Sequence, residues 1–277
     1  MSKKMLIALF AAIVVLAIAV NSVGAITDGE LDGEDHPHVV LLLMEVGGEP
    51  MYRCSGTLLS PTVLLTAGHC ASNYPDEPYS GMRVFTESDV ENGDNDYPFA
   101  GNNTVEAVAW YAHPLYETED PFYYHDVGIV ILEEPGVAGL DVYGALPELD
   151  QFDDLPMPSG KSEKTRFTSV GYGLQAIFTD EEQWSLVSDR IRMVANPFLL
   201  QLNVSGITGD YSLLLSNNHS SGGTCFGDSG GPNFLGDSNI VAGVTSFGMN
   251  EGCSGIGGVF RTDRADVLDF IDDYYTP

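Results

Sequence analysis

The chain has 277 residues, 44% of them hydrophobic, with 31 glycines, 15 prolines and a formal net charge of −29. That composition excludes a disordered or collagen-like chain and fits a folded β-rich globule of one large or two small domains. The charge excludes nucleic acids and anionic membranes as electrostatic partners and favours solubility.

The first 25 residues predict a secretory signal. Lys3 and Lys4 precede an apolar run from Met5 to Val20, and Val23 and Ala25 stand at the two small-residue positions read by signal peptidase. The run falls short of the ~20 residues a membrane-spanning helix needs, so a cleaved peptide is preferred over an anchor, with no membrane association afterwards. Export suits the four cysteines, Cys54, Cys70, Cys225 and Cys253, an even number for an oxidising compartment. Three pairings are possible, and the spacings are too long for a zinc site. No metal and no cofactor are expected.

From Val39 onward, short apolar runs alternate with turn residues. Val39–Met44, Thr57–Leu59, Val63–Thr66, Val105–Tyr111 and Val127–Leu132 predict strands of a first half. Thr165–Tyr172, Ile191–Ala195, Ile240–Phe247 and Gly258–Arg261 predict those of a second, after a Pro-, Gly- and Asp-rich crossover at Leu140–Gly160. β-Branched enrichment and regular turn signals give an all-β barrel or sandwich rather than βαβ units. Val267, Phe270, Ile271 and Tyr274 recur at helical spacing after Thr262-Asp263, which predicts a terminal amphipathic helix. The acidic stretch Glu87–Asp96 is rich in oxygen ligands but lacks the spacing of a calcium loop, so a solvated loop is preferred.

Three segments carry chemistry: Thr66-Ala67-Gly68-His69-Cys70, His125-Asp126-Val127-Gly128, and Cys225-Phe226-Gly227-Asp228-Ser229-Gly230-Gly231-Pro232. Each alone has an ordinary structural explanation; together they offer a hydroxyl, an imidazole and a carboxylate. A serine hydroxyl is a poor nucleophile until a neutral imidazole takes its proton and a carboxylate fixes the imidazole's tautomer. Glycines around Ser229 allow close backbone approach and leave amides for an oxyanion. His125 is set aside, because neighbours on a strand point to opposite faces. His36, His38, His113 and His219 lie outside these segments.

These motifs, in the order His, Asp, Ser, resemble those of chymotrypsin-like serine proteases over essentially the whole chain from Ile26. The resemblance implies two six-stranded antiparallel β-barrels, about residues 26–140 and 141–262, and a C-terminal α-helix at about 263–275. It implies catalysis by His69, Asp126 and Ser229, with an oxyanion hole from the amides of Gly227 and Ser229. It also implies disulfides Cys54–Cys70 and Cys225–Cys253, and an ion pair between a freed Ile26 ammonium and Asp228. Signal cleavage after Ala25 would create that N-terminus directly, although Asp28 stands where the family usually has glycine. Gly223 occupies the position at which trypsin-like enzymes carry an acid. A pocket bounded by Gly223, Thr224, Ser246, Phe247, Gly248 and Gly258 would therefore be open and uncharged, suited to a large apolar or aromatic side chain. Phe247 replaces the family's usual tryptophan, and one residue is missing between Cys253 and Gly258. The implied product is a secreted, monomeric endopeptidase acting on proteins or peptides and open to proteinaceous inhibitors. A catalytically silent binding protein on the same scaffold is the competing reading.

Overall fold

The computed structural model describes residues 26–73, 77–119, 122–157, 164–179, 184–205, 208–250 and 252–276; the segment expected to be a secretory signal lies outside them. Among the described residues no helix is long and apolar enough to cross a membrane.

The first half is a closed barrel. Its strands are β2 (Val39–Val46), β3 (Glu49–Ser60), β4 (Val63–Thr66), β5 (Tyr79–Phe85), β6 (Thr104–Ala112) and β9 (Gly128–Leu132), paired in the order β2-β3-β4-β9-β6-β5. The unbroken apolar run of β2 follows from burial on both faces. Val40, Leu42 and Met44 join the main core with Leu58, Leu64 and Ile129, while Leu41 and Leu43 pack on the opposite side with Phe85 and Tyr172. Successive strand side chains alternate, so an outward face that meets a second layer must be apolar as well.

The second layer is one curled sheet of eight strands. It uses β1 (Glu30–Leu31), β10 (Phe167–Gly171), β13 (Met193–Ala195), β14 (Leu199–Val204), β15 (Gly209–Asn217), β16 (Pro232–Leu235), β17 (Val241–Gly248) and β18 (Gly255–Arg261), in the order β1-β13-β10-β16-β17-β18-β15-β14. Two hairpins, β7 (Glu117–Glu119) with β8 (Phe122–Tyr124) and β11 (Ala176–Thr179) with β12 (Trp184–Val187), stand apart. The second half thus curls without closing among the described strands. One edge is taken by β1 from the N-terminal segment, Glu30 opposite Val194 and Leu31 opposite Met193. The turn-rich pattern did not mark β5 or β14–β16.

Two buried arginines pin distant segments, one to the barrel and one within the second half. Arg192, fully buried, bonds Asp32 (Nε–Oδ2 2.8 Å), the Val39 carbonyl and the Tyr172 hydroxyl. Arg261, equally buried, bonds both oxygens of Asp263 and reaches Asp153 at 2.7 Å. Burial of each guanidinium is offset by carboxylates and carbonyls around it.

The chain ends in a helix at Ala265–Asp272, whose Val267, Phe270 and Ile271 are buried, with Tyr274 stacked on Tyr111 beyond it. Its N-cap is Arg264, without a side-chain cap; Asp263 is spent on Arg261 and the Phe152 amide instead. A buried ion pair outcompetes a cap. In the acidic loop, Glu87 accepts from Asp94 N and Asn95, and Asp89 accepts from Asn92.

Candidate active site

The cleft is built where the barrel and the curled sheet meet. A single helical turn, α1 (Gly68–Ala71), follows β4 and carries His69 and Cys70. Cys70 is bonded to Cys54 on β3, which ties this turn to the barrel wall. Asp126 precedes β9 and is fully buried. It accepts the His69 backbone N–H at 2.9 Å and lies 3.0 Å from His69 Nδ1 through Oδ2. The Ser246 hydroxyl, from β17, donates to the same Oδ2 at 2.5 Å. Three donors therefore converge on the carboxylate and aim it at the ring, and the contact at Nδ1 leaves Nε2 as the nitrogen that can accept.

His125 turns away for a reason other than strand alternation. It sits in a bend with φ +49°, its ring stacks on His113 at 4.9 Å, and Nε2 lies 3.0 Å from Asp266. His36 pairs with Asp32 and His219 with Asp28. Burial pushes the His38 imidazole down to about 4, so it stays neutral in the core.

Ser229 lies on the loop between β15 and β16, held by the Cys225–Cys253 bond. Its carbonyl accepts from Ser55 N at 2.8 Å. The Ser55 hydroxyl donates to the Gly227 carbonyl at 3.0 Å and accepts from Tyr172 N at 3.0 Å. Gly227 has φ +97° and Gly230 φ +76°, conformations costly for other residues. The Asp228, Gly230 and Gly231 amides are spent on Cys225, Thr245 and Asp228 carbonyls. Among the described residues the Gly227 and Ser229 amides have no such acceptor. Asp228 is fully buried and accepts from the Cys225 and Gly173 amides, each at 2.8 Å. Burial pushes its carboxyl up to about 7 against those donors and the Arg53 charge.

His69 and Ser229 line one cleft of about 280 Å³, with Thr224, Ser246, Phe247 and Gly248 among its walls. Gly223 and Gly258 do not border the cleft. The Phe247 ring lies over Gly258, its cross-strand partner. A second hollow, about 660 Å³, opens beyond Phe226 and Gly227 and is lined by Tyr52, Arg53, Leu174 and Arg190.

At the N-terminal segment, Ile26 is fully buried with Met193 and Ala195, and Thr27 bridges Gly223. Asp28 adopts φ +58°, a left-handed conformation that glycine enters more easily and aspartate tolerates. The sequence signals missed Ser55 and Asn217. Neither belongs to a catalytic motif, and each matters through a contact more than a hundred residues away in the chain.

A closed barrel packed on a curled sheet, with a buried aspartate facing a histidine at their junction and a terminal helix, is the architecture of chymotrypsin-like proteins. The Trypsin family model matches residues 29–271, and the chain belongs to this family of serine proteases. It is 27% identical to the brachyurin of Leptuca pugilator over 222 residues, covering 78% of this chain and 83% of that one. It is 29% identical to the trypsin of Saccharopolyspora erythraea over 229 residues, covering 80% and 84%. Other curated relatives are longer, the chain spanning 36% of one and 63% of another. The solved structure of HL collagenase superposes with a TM-score of 0.66 at 22% identity, covering 90% of this chain and 97% of that one, a likeness of fold.

Proposed function

We propose that the chain is a secreted serine endopeptidase working through Ser229, His69 and Asp126. Ser229 Oγ attacks the scissile carbonyl carbon as its proton passes to His69 Nε2, and Asp126 holds the other ring nitrogen protonated. The amides of Gly227 and Ser229 donate to the oxyanion. The intermediate collapses as Nε2 returns the proton to the leaving amine, and water then cleaves the acyl ester by the same route. No cofactor enters these steps. The observation that carries the reading is the buried Asp126, held by His69 and Ser246, beside a cleft that Ser229 shares with His69. The primary pocket is uncharged, with no carboxylate or ammonium among the described residues that line the cleft. Substrate beyond the scissile bond would lie in the hollow beside Arg53.

Signal cleavage after Ala25 would free the Ile26 ammonium as the counter-charge to Asp228. Such a buried carboxylate favours its neutral form until a cation pairs with it. The enzyme acts as a monomer on proteins or peptides, and proteinaceous inhibitors would occupy the same cleft. A serine-directed phosphonate should label the purified protein stoichiometrically, and Ser229→Ala should abolish both labelling and peptide cleavage with Tm unchanged. Full cleavage by the alanine variant would refute the assignment.

A further inference from the structure

Asn217 ends β15, and its carboxamide fills the space into which a side chain at position 223 would project. A Cβ built on Gly223 would stand 2.5 Å from Asn217 Oδ1 and 2.6 Å from its Cβ. Asn217 is 2% exposed and borders the cleft. The acid of trypsin-like enzymes is thus replaced at the pocket floor by a neutral amide from another strand.

Two bonds fix how that amide is turned. Asn217 Nδ2 donates to the Thr224 carbonyl at 2.8 Å, and Thr27 Oγ1 donates to Asn217 Oδ1 at 2.8 Å. A carboxamide has two N–H groups and two acceptor lone pairs. One of each is used, and among the described residues the other N–H and the other lone pair have no partner. No carboxylate or ammonium lines the cleft among those residues, and Ile256 and Phe247 make its sides apolar.

Resting on the endopeptidase reading above, we infer that Asn217 selects the side chain on the acyl side of the scissile bond, and that the substrate class is glutamine or asparagine. A substrate carboxamide can donate to Asn217 Oδ1 and accept from Nδ2 in one planar pair, which completes both open valences. An aromatic or aliphatic side chain would bury the N–H and the lone pair unpaired, and a site built for hydrogen bonds rejects partners that lack them. Lysine or arginine would bring a full charge against a neutral dipole. The floor also depends on the N-terminal segment, because Thr27 both holds Oδ1 and pairs its main chain with Gly223. Docking of residues 26–29 therefore sets the orientation of the selecting group.

The test is a series of peptides identical except at that residue, carrying Gln, Asn, Phe, Leu, Lys or Glu, with kcat/KM measured alongside phosphonate labelling. Wild-type protein should prefer Gln or Asn over Phe and Leu by about tenfold or more. Asn217→Leu should reverse that order, Asn217→Asp should raise Lys above Gln, and Thr27→Val should narrow the gap. If Asn217→Leu does not fold, the wild-type profile and the other two variants decide. Full labelling with preference for Phe, Leu or Lys would overturn this inference alone. Absence of labelling would overturn the endopeptidase reading and this inference with it.

Discussion

The barrel and the curled sheet solve the same burial problem with different materials. The barrel core is aliphatic, with Val40, Leu42, Leu58, Leu64 and Ile129 fully buried, and it presents His69 and Asp126 from short segments at its strand ends. The sheet buries whole ion pairs, Arg192 with Asp32 and Arg261 with Asp263, and presents Ser229 and the pocket from long glycine-rich loops. The barrel is held by surface removed from water, which tolerates imprecise partners. The sheet buries Phe167, Leu199, Leu213 and Val259 in the same way and adds specific charge contacts that fail as units when one member is removed. Rigid aliphatic support suits the proposed proton-handling pair, His69 and Asp126, whereas the loop that carries Ser229 is pinned by directional bonds.

Three measurements would break or sharpen that contrast. The largest effect belongs to the barrel's proposed catalytic pair: Asp126→Asn should lower kcat by about 10⁴-fold with little change in Tm, since the amide presents the imidazole as the wrong tautomer. A fall below tenfold would detach Asp126 from catalysis. Next comes the sheet's ion pair. Arg261→Ala should destabilise by about 3–5 kcal/mol in chemical denaturation, because the buried Asp263 loses its cationic partner. A loss under ~1 kcal/mol would show that the sheet does not depend on it.

The smallest effect is a pH dependence. Asp228 binds its proton more tightly folded than unfolded, its carboxyl standing near 7 against the ordinary 3.8. Its contribution to stability is present at low pH and is lost as pH rises through about 7. The chain still carrying residues before Ile26 should therefore lose on the order of a few kcal/mol between pH 5 and 8. Protein beginning at Ile26 should not, because the ammonium favours the charged carboxylate. Identical pH profiles for the two forms would remove the ion pair from the activation scheme.

Local chemistry in the chain determined much of this. Alternating apolar runs and turn residues specified an all-β fold, helical spacing at Val267, Phe270 and Ile271 specified the last helix, and three short motifs named the residues proposed for catalysis. These are signals that neighbours in sequence can carry, because strand, turn and helix periods repeat within a few residues. Tertiary structure alone decided the rest. It drew β1 onto the second sheet, spent Asp263 on Arg261 rather than on a helix cap, bent His125 toward His113, laid Phe247 over Gly258, and set Asn217 in the space before Gly223. Each of these is a contact between groups far apart in the chain, settled by competition for one buried volume or one hydrogen-bond partner. No local pattern records the outcome of such a competition.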